Sequence, residues 1–211
     1  MDSERDLAAA SDGGIDWTRP TTRERRALKR ATYEDVLNAP EHQVAEILEG
    51  ELFLSPRPAP LHTVASSRLG VALGPFDDGP GGPGGWWILD EPEFHFGEDV
   101  LVPDLGGWRR ERLSSMPDTA FFSLAPDWVC EVLSPSTERI DRVRKLRIYA
   151  KAGVAYAWLV NPVERTLEVL RLRDGAWTIV AVCSGPDLVR IEPFDAIELP
   201  LTRLWADSPK P

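Results

Sequence analysis

The stretch Asp127-Trp128-Val129-Cys130-Glu131-Val132-Leu133-Ser134-Pro135-Ser136-Thr137 decides how the chain is read. A short apolar run that ends in a Ser-Pro-Ser-Thr stop is the pattern of a buried strand. A single acid, Glu131, interrupts the run. Its flanks, Val129, Cys130, Val132 and Leu133, are apolar on both faces of the strand, so solvent exposure does not explain it. A carboxylate buried there is costly unless it is paired with a cation or ligates a metal. The first alternative is an Arg at a strand end; the second is a functional site.

Working outward from the stop, Ser134-Pro135-Ser136-Thr137 caps a helix expected to run to about Ala152, with Gly153 ending it. Ile140, Val143, Leu146 and Ala150 read as its buried stripe, and Asp141 and Lys145 stand four residues apart. Lys145 either pairs with Asp141 in solvent or reaches back to the strand end that bears Glu131. Ala155 to Val160, Thr166 to Arg173 and Trp177 to Val182 read as strands, the last two joined by the turn Asp174-Gly175.

Upstream, Thr32 with Asp35 resembles a capping box for a short helix through Leu37. Val44 to Ser55 reads as a hairpin around Glu49-Gly50, and a helix is expected over about 60 to 74, with Leu61, Val64, Leu69, Val71, Ala72 and Leu73 close to one stripe. The Gly- and Pro-rich run from Asp77 to Gly85 is a loop, and no Gly-Lys-Ser/Thr comes after it to make a phosphate loop. Next come strands at Trp86 to Leu89, Glu93 to Phe96 and Asp99 to Leu105, then a loop with Arg109, Arg110 and Arg112. The order predicts an α+β fold, a mixed sheet flanked by helices with a C-terminal β-meander. An N-terminal arm over residues 1–31, one domain over 32–205 and a tail over 206–211 complete the expected organisation.

The chain has 211 residues and a formal charge of −10, with 20 Arg and only 4 Lys. The charge is uneven: −12 over residues 34 to 108 and +3 over 109 to 151. That argues against a protein that coats nucleic acid over its whole surface, and it suits an acidic cluster beside a basic segment. There is no signal-peptide pattern and no long apolar run, so a cytoplasmic protein without a membrane anchor is expected. Cys130 and Cys183 are too few for a disulfide framework or a cysteine zinc site. His42 and His95 lack metal-ligand partners at sensible spacing. No nucleophile elbow, helix-turn-helix or zinc module is evident, and the tryptophans read as packing residues.

Asp104, after Pro103, is a second candidate ligand. Asp127 shares a strand with Glu131 four residues on, roughly 13 Å away at about 3.3 Å per residue, too far to chelate one ion with it. Asp104 on another strand carries no such limit.

Val102-Pro103-Asp104, Glu131 through Thr137, Asp141, Lys145, Tyr149, Gly153-Val154 and Trp158-Leu159-Val160 together resemble the Uma-type putative restriction endonucleases of the PD-(D/E)XK nuclease superfamily. Glu46, Glu49-Gly50-Glu51 and His62 resemble that family's opening segment. The resemblance covers about residues 32 to 200. It implies a restriction-endonuclease-like fold and a cytoplasmic bacterial endonuclease that hydrolyses DNA phosphodiester bonds. It implies Asp104 and Glu131 as ligands of Mg2+ (or Mn2+), with Lys145 as the catalytic cation. Glu46, His62 and Asp141 would be accessory, and a homodimer is a further expectation. In the superfamily pattern the lysine lies two residues after the second acid, which is Leu133 here; the family's substitute is a lysine on the next helix, matching Lys145. The chain also has Tyr156-Ala157-Trp158 where relatives have Glu-Tyr-Trp, and Asn161 where they have Asp. The alternative is a catalytically inactive protein of this fold that binds nucleic acid or a protein partner.

Overall fold

A computed structural model of the chain describes residues 30–77 and 82–206. Most of the expected arm lies outside the described residues, as do 78–81 of the Gly-rich loop and 207–211 of the tail. The elements are α1 (Tyr33–Leu37), β1 (Gln43–Leu48), β2 (Glu51–Pro56), α2 (Pro60–Asp77), β3 (Trp86–Asp90), β4 (Phe94–Phe96), β5 (Asp99–Leu101), β6 (Leu105–Arg109) and β7 (Trp128–Val132). After β7 come α3 (Glu138–Ile140), a π-helical turn (Asp141–Lys145) and α4 (Leu146–Ala152). The chain then forms β8 (Tyr156–Asn161), β9 (Thr166–Arg173), β10 (Ala176–Ser184), β11 (Leu188–Val189) and β12 (Leu199–Pro200).

Among the described residues the main sheet has the order β10-β9-β8-β7-β6-β3, a second sheet the order β2-β1-β5-β4, and β11 pairs with β12. Only β7 and β8 pair in parallel within the main sheet, which is what a helical connection between two strands produces. The C-terminal meander β8-β9-β10 is antiparallel, and both of its tight hairpin residues, Asp174 and Gly175, have positive φ. The β1–β2 hairpin turns the same way on Glu49 (φ 57°) and Gly50 (φ 84°). These are the α+β mixed sheet and meander that the sequence pattern predicts.

Alternation along β7 sorts its neighbours into two cores. Trp128, Cys130 and Val132 pack with Trp158, with Ala65, Leu69 and Leu73 of α2, and with Phe194. Val129 and Leu133 face the other way, against Leu146, Ile148 and Tyr149 of α4 and against Leu48, Phe94 and Leu101 of the second sheet. Glu131 shares that second face. Trp86, Trp108, Trp128, Trp158 and Trp205 are buried, as packing residues should be. Both cysteines are free, Cys130 buried and Cys183 half-buried.

The structure corrects the sequence pattern in three places. The expected strand from Asp99 to Leu105 is two strands in different sheets, with Val102-Pro103-Asp104 as the corner between them, so Asp104 precedes β6 instead of closing a strand. β6 continues through Gly106-Gly107, where the sequence pattern predicts a loop. The glycines are there for space: a Cβ on Gly106 would lie 2.7 Å from Pro92 Cγ, and one on Gly107 3.0 Å from Trp128 Cε3.

The third correction concerns the helical faces. The helix after β7 buries Asp141, Lys145, Leu146, Ile148 and Tyr149, whereas Val143 of the expected stripe is 49% exposed. Val143 is two residues from both Asp141 and Lys145, about 200° around a helix, so the face that buries those two turns it outward. In α2 the buried face is His62, Ala65, Leu69, Leu73 and Phe76, and Val71 points to solvent. No helix among the described residues is long and apolar enough to cross a membrane.

Gly106→Ala should destabilise the fold by about 1–3 kcal/mol through overpacking against Pro92 and Trp108. Urea unfolding monitored by tryptophan fluorescence checks this, and an unchanged midpoint would show that β6 has slack.

Candidate functional site

Five elements deliver side chains to one cleft of about 300 Å³: β1 brings Glu46, α2 His62, the corner before β6 Asp104, β7 Glu131, and the π turn Asp141 and Lys145. Ser134, Ser136, Thr137 and Arg57 line it as well. All three candidates for the chemistry, Asp104, Glu131 and Lys145, are therefore brought together, with the three accessory candidates beside them.

The antiparallel ladder of β6 and β7 pairs Leu105 with Cys130 and Gly106 with Val129. Continued by one residue it sets Asp104 opposite Glu131, on the same face, where cross-strand Cβ atoms lie roughly 5 Å apart. The Val132 amide donates to Asp104 Oδ2 at 2.7 Å, and His62 Nε2 lies 3.1 Å from Asp104 Oδ1. His62 is thereby fixed to one carboxylate. Its Nδ1 is buried and has no hydrogen-bond partner. Burial pulls the imidazole pKa down, but the hydrogen bond and charge of Asp104 outweigh it, and the net direction is upward.

Glu131 is 3% exposed. Its partners are Lys145 and Tyr149, and no strand-end Arg takes that place. Lys145 Nζ donates to Oε2 at 3.1 Å, and the Tyr149 hydroxyl donates to Oε1 at 2.6 Å. Burial pushes the Glu131 carboxyl well above the usual range, and Lys145 opposes that push. Lys145 is itself buried, 2.9 Å from Glu46 Oε1 and 3.7 Å from Asp141 Oδ1, and donates to the Val102 carbonyl at 3.4 Å. Burial would lower its pKa, but the carboxylates around it raise it well above the ordinary lysine value. Those carboxylates favour its charged form. Glu46 Oε1 also accepts from the Val102 amide at 2.8 Å, which ties β1 to the corner.

Leu133, where the superfamily pattern has its lysine, is packed in the core at 2% exposure, and Lys145 enters the same face of β7 from the helix. Asp127 takes the structural role that its spacing implies: Oδ2 accepts from the Arg109 amide and Oδ1 pairs with Arg112. Asn161 Oδ1 accepts from the amides of Val163 and Glu164, so the residue that departs from Asp still holds the turn. His95 pairs with Glu93 and stacks on Phe121, away from the cleft.

Tyr149 is the site residue to which the sequence reading assigns no role. The signal is present in the spacing of Asp141, Lys145 and Tyr149 at i, i+4 and i+8, a polar stripe on a helix that packs on the sheet.

Among the described residues no cluster of three or more His, Cys, Asp or Glu is arranged to hold a metal ion. Asp104 in the corner before β6 and Glu131 on β7 are the hard oxygen donors that would hold magnesium, a cation commonly bound by one or two carboxylates with water and substrate phosphate completing its shell. The excess of carboxylates over cations around Glu131 points the same way.

A mixed sheet with the Pro-Asp corner on one strand and the buried acid on its neighbour places the chain in the class of nuclease-like α+β folds. A family model described as "Putative restriction endonuclease" (Uma2) matches residues 20–202, and the chain belongs to that family. Its fold is similar to that of a solved protein described as a putative nuclease belonging to DUF820, from Anabaena variabilis ATCC 29413. That match has a TM-score of 0.64 and 24% identity and covers 83% of this chain and 97% of the other. Curated proteins give no match.

Tyr149→Phe should cost about 1–3 kcal/mol, because it leaves a buried carboxylate oxygen without its donor. Thermal unfolding measures this, and an unchanged midpoint would mean that the hydroxyl does not hold Glu131. Burial raises Asp141 to about 6, against the opposing pull of Lys145 and a hydrogen bond from Thr137. The folded state thus holds this proton more tightly than the unfolded chain. The associated stability is complete below about pH 4 and is lost as pH rises through about 6. Asp141→Asn should flatten that segment of the stability–pH curve measured in EDTA; an unchanged slope would assign it to other groups.

Proposed function

We propose that the cleft is the active site of a divalent-metal-dependent endonuclease that hydrolyses DNA phosphodiester bonds. The observation that carries this is the convergence of Asp104, Glu131 and the buried Lys145 on one cleft. A buried ion-pair cluster is weak evidence of a stabilising role, since an apolar replacement is often as good.

In this reading Asp104 and Glu131 hold magnesium or manganese, which when bound polarises the scissile phosphate and lowers the pKa of the attacking water. The protein's own groups do the positioning. His62 and the Val132 amide fix Asp104, and Tyr149 fixes Glu131. The surrounding carboxylates favour the protonated form of Lys145, which suits it to electrostatic work. Its role is to orient a water and offset charge that develops on the phosphoryl oxygens. Arg57, exposed at the cleft with its guanidinium anchored to the Glu41 carbonyl, and the hydroxyls of Ser134, Ser136 and Thr137 offer donors to the phosphodiester backbone. The net charge of −10 predicts weak nonspecific affinity that salt weakens further.

Cleavage of supercoiled, linear and single-stranded DNA with magnesium or manganese tests the proposal. Asp104→Ala, Glu131→Gln and Lys145→Gln should each lower the rate by roughly a hundredfold or more, and EDTA should abolish it. Wild-type protein that cuts nothing on this panel, or variants that keep the wild-type rate, would overturn it.

A further inference from the structure

Lys145 has three donor hydrogens and four acceptors around it: Glu46 Oε1 at 2.9 Å, Glu131 Oε2 at 3.1 Å, the Val102 carbonyl at 3.4 Å and Asp141 Oδ1 at 3.7 Å. The shortest of these contacts is to Glu46, not to Glu131. Glu46 gains nothing else of this kind: its other bond is to the Val102 amide, and that same residue presents the carbonyl that Lys145 contacts. The second sheet therefore supplies a holder for the ammonium that is independent of the Asp104–Glu131 pair on the main sheet.

With Asp104 and Glu131 as metal ligands, the Glu131 carboxylate is wanted by two cations. Tyr149 donates to Oε1 and Lys145 to Oε2, so a divalent ion bound there shares the carboxylate with the ammonium. Each must weaken the hold of the other, and by linkage the effect is reciprocal. What decides how strongly Lys145 competes is how firmly something else retains it.

We propose that Lys145 is a built-in competitor for the divalent cation at Glu131, and that Glu46 is a positioning residue that draws the ammonium away from it. The inference rests on the reading of Asp104 and Glu131 as metal ligands. Its consequence is specific. Removing the lysine's charge tightens metal binding, whereas neutralising Glu46 weakens it, because Lys145 then leans fully on Glu131. If Glu46 acts through Lys145, its effect disappears once the lysine is gone. If it acts as a ligand or by its own charge on the metal, the effect persists.

Titration calorimetry of the full chain with Mn2+ reads this cycle on wild type, Glu46→Gln, Lys145→Gln and the double variant, each checked for folding by circular dichroism. Gln at 46 keeps the acceptor for the Val102 amide, and Lys145→Met serves as a second neutral variant if Lys145→Gln does not fold. Lys145→Gln should bind Mn2+ about tenfold tighter than wild type, a factor typical of coupled sites. Glu46→Gln should weaken binding about fivefold with Lys145 present and less than about twofold without it. The same factor in both backgrounds, or no tightening in the lysine variants, overturns the inference and leaves the metal site standing. No Mn2+ binding by the wild-type protein overturns both.

Discussion

One buried carboxylate organises the polar half of this molecule. Glu131 sits in the middle of β7 with apolar residues on either side, and taking an ionised group out of water there costs several kcal/mol. The offset comes from outside the strand. Lys145 and Tyr149 arrive from the helix, and Lys145 in turn needs Glu46 from the second sheet and Asp141 from its own turn. The two sheets and the helix are joined at this node by charge as well as by the apolar contacts of Leu48, Phe94, Leu101 and Tyr149. Surface pairs reinforce the same joint, Arg147 with Glu49 and Arg144 with Glu51, both linking the helix to the β1–β2 hairpin. Exposed pairs of this kind contribute little, so the buried node sets the registration.

A π turn interrupts the helix at that node. In an α-helix, residues four apart drift by about 40° around the axis, so Asp141, Lys145 and Tyr149 would fan out over roughly 80°. Wider winding through Asp141–Lys145 brings the three back toward a single line facing β7. Val143 is turned outward, an exposed apolar side chain on an otherwise polar surface.

Much of the fold is legible in the sequence because it rests on local signals. Glycine-assisted hairpins at Glu49-Gly50 and Asp174-Gly175, the alternation of β9 and the Thr32–Asp35 cap all act within a few residues. The split between β5 and β6 is not legible, because the run from Val100 to Leu105 is apolar but for Asp104 while the chain changes sheets, and β6 carries two glycines chosen for packing space and not for strand propensity. Glu131 can be picked out from its apolar flanks alone. Its partners cannot: a lysine four residues after an aspartate on a helix reads equally well as a solvated pair, and which face of the helix meets the sheet is decided by tertiary packing. Tyr149 goes unassigned for the same reason, since a tyrosine on a helix facing a sheet is usually there for its ring.

The charge of the cleft is set by these placements. Glu46, Glu131 and Asp141 surround the Lys145 ammonium, and Asp104, with His62 bound to it, lines the same cleft. Burial raises Glu131 and Asp141 above the ordinary carboxylate range, and the neighbouring acids add to that rise against the opposing pull of Lys145. A protein built only for stability would relieve that excess by replacing an acid, because a buried charge left over is among the costlier defects a fold can carry. Retaining it keeps a site whose demand for positive charge is met by protons at low pH and, on the metal-site proposal, by a multivalent cation at neutral pH. Residues 34–108 contribute Glu46, Glu91 and Asp104 to that charge, while Arg57 and the Ser134–Thr137 hydroxyls place donors suited to an anionic substrate at the same opening.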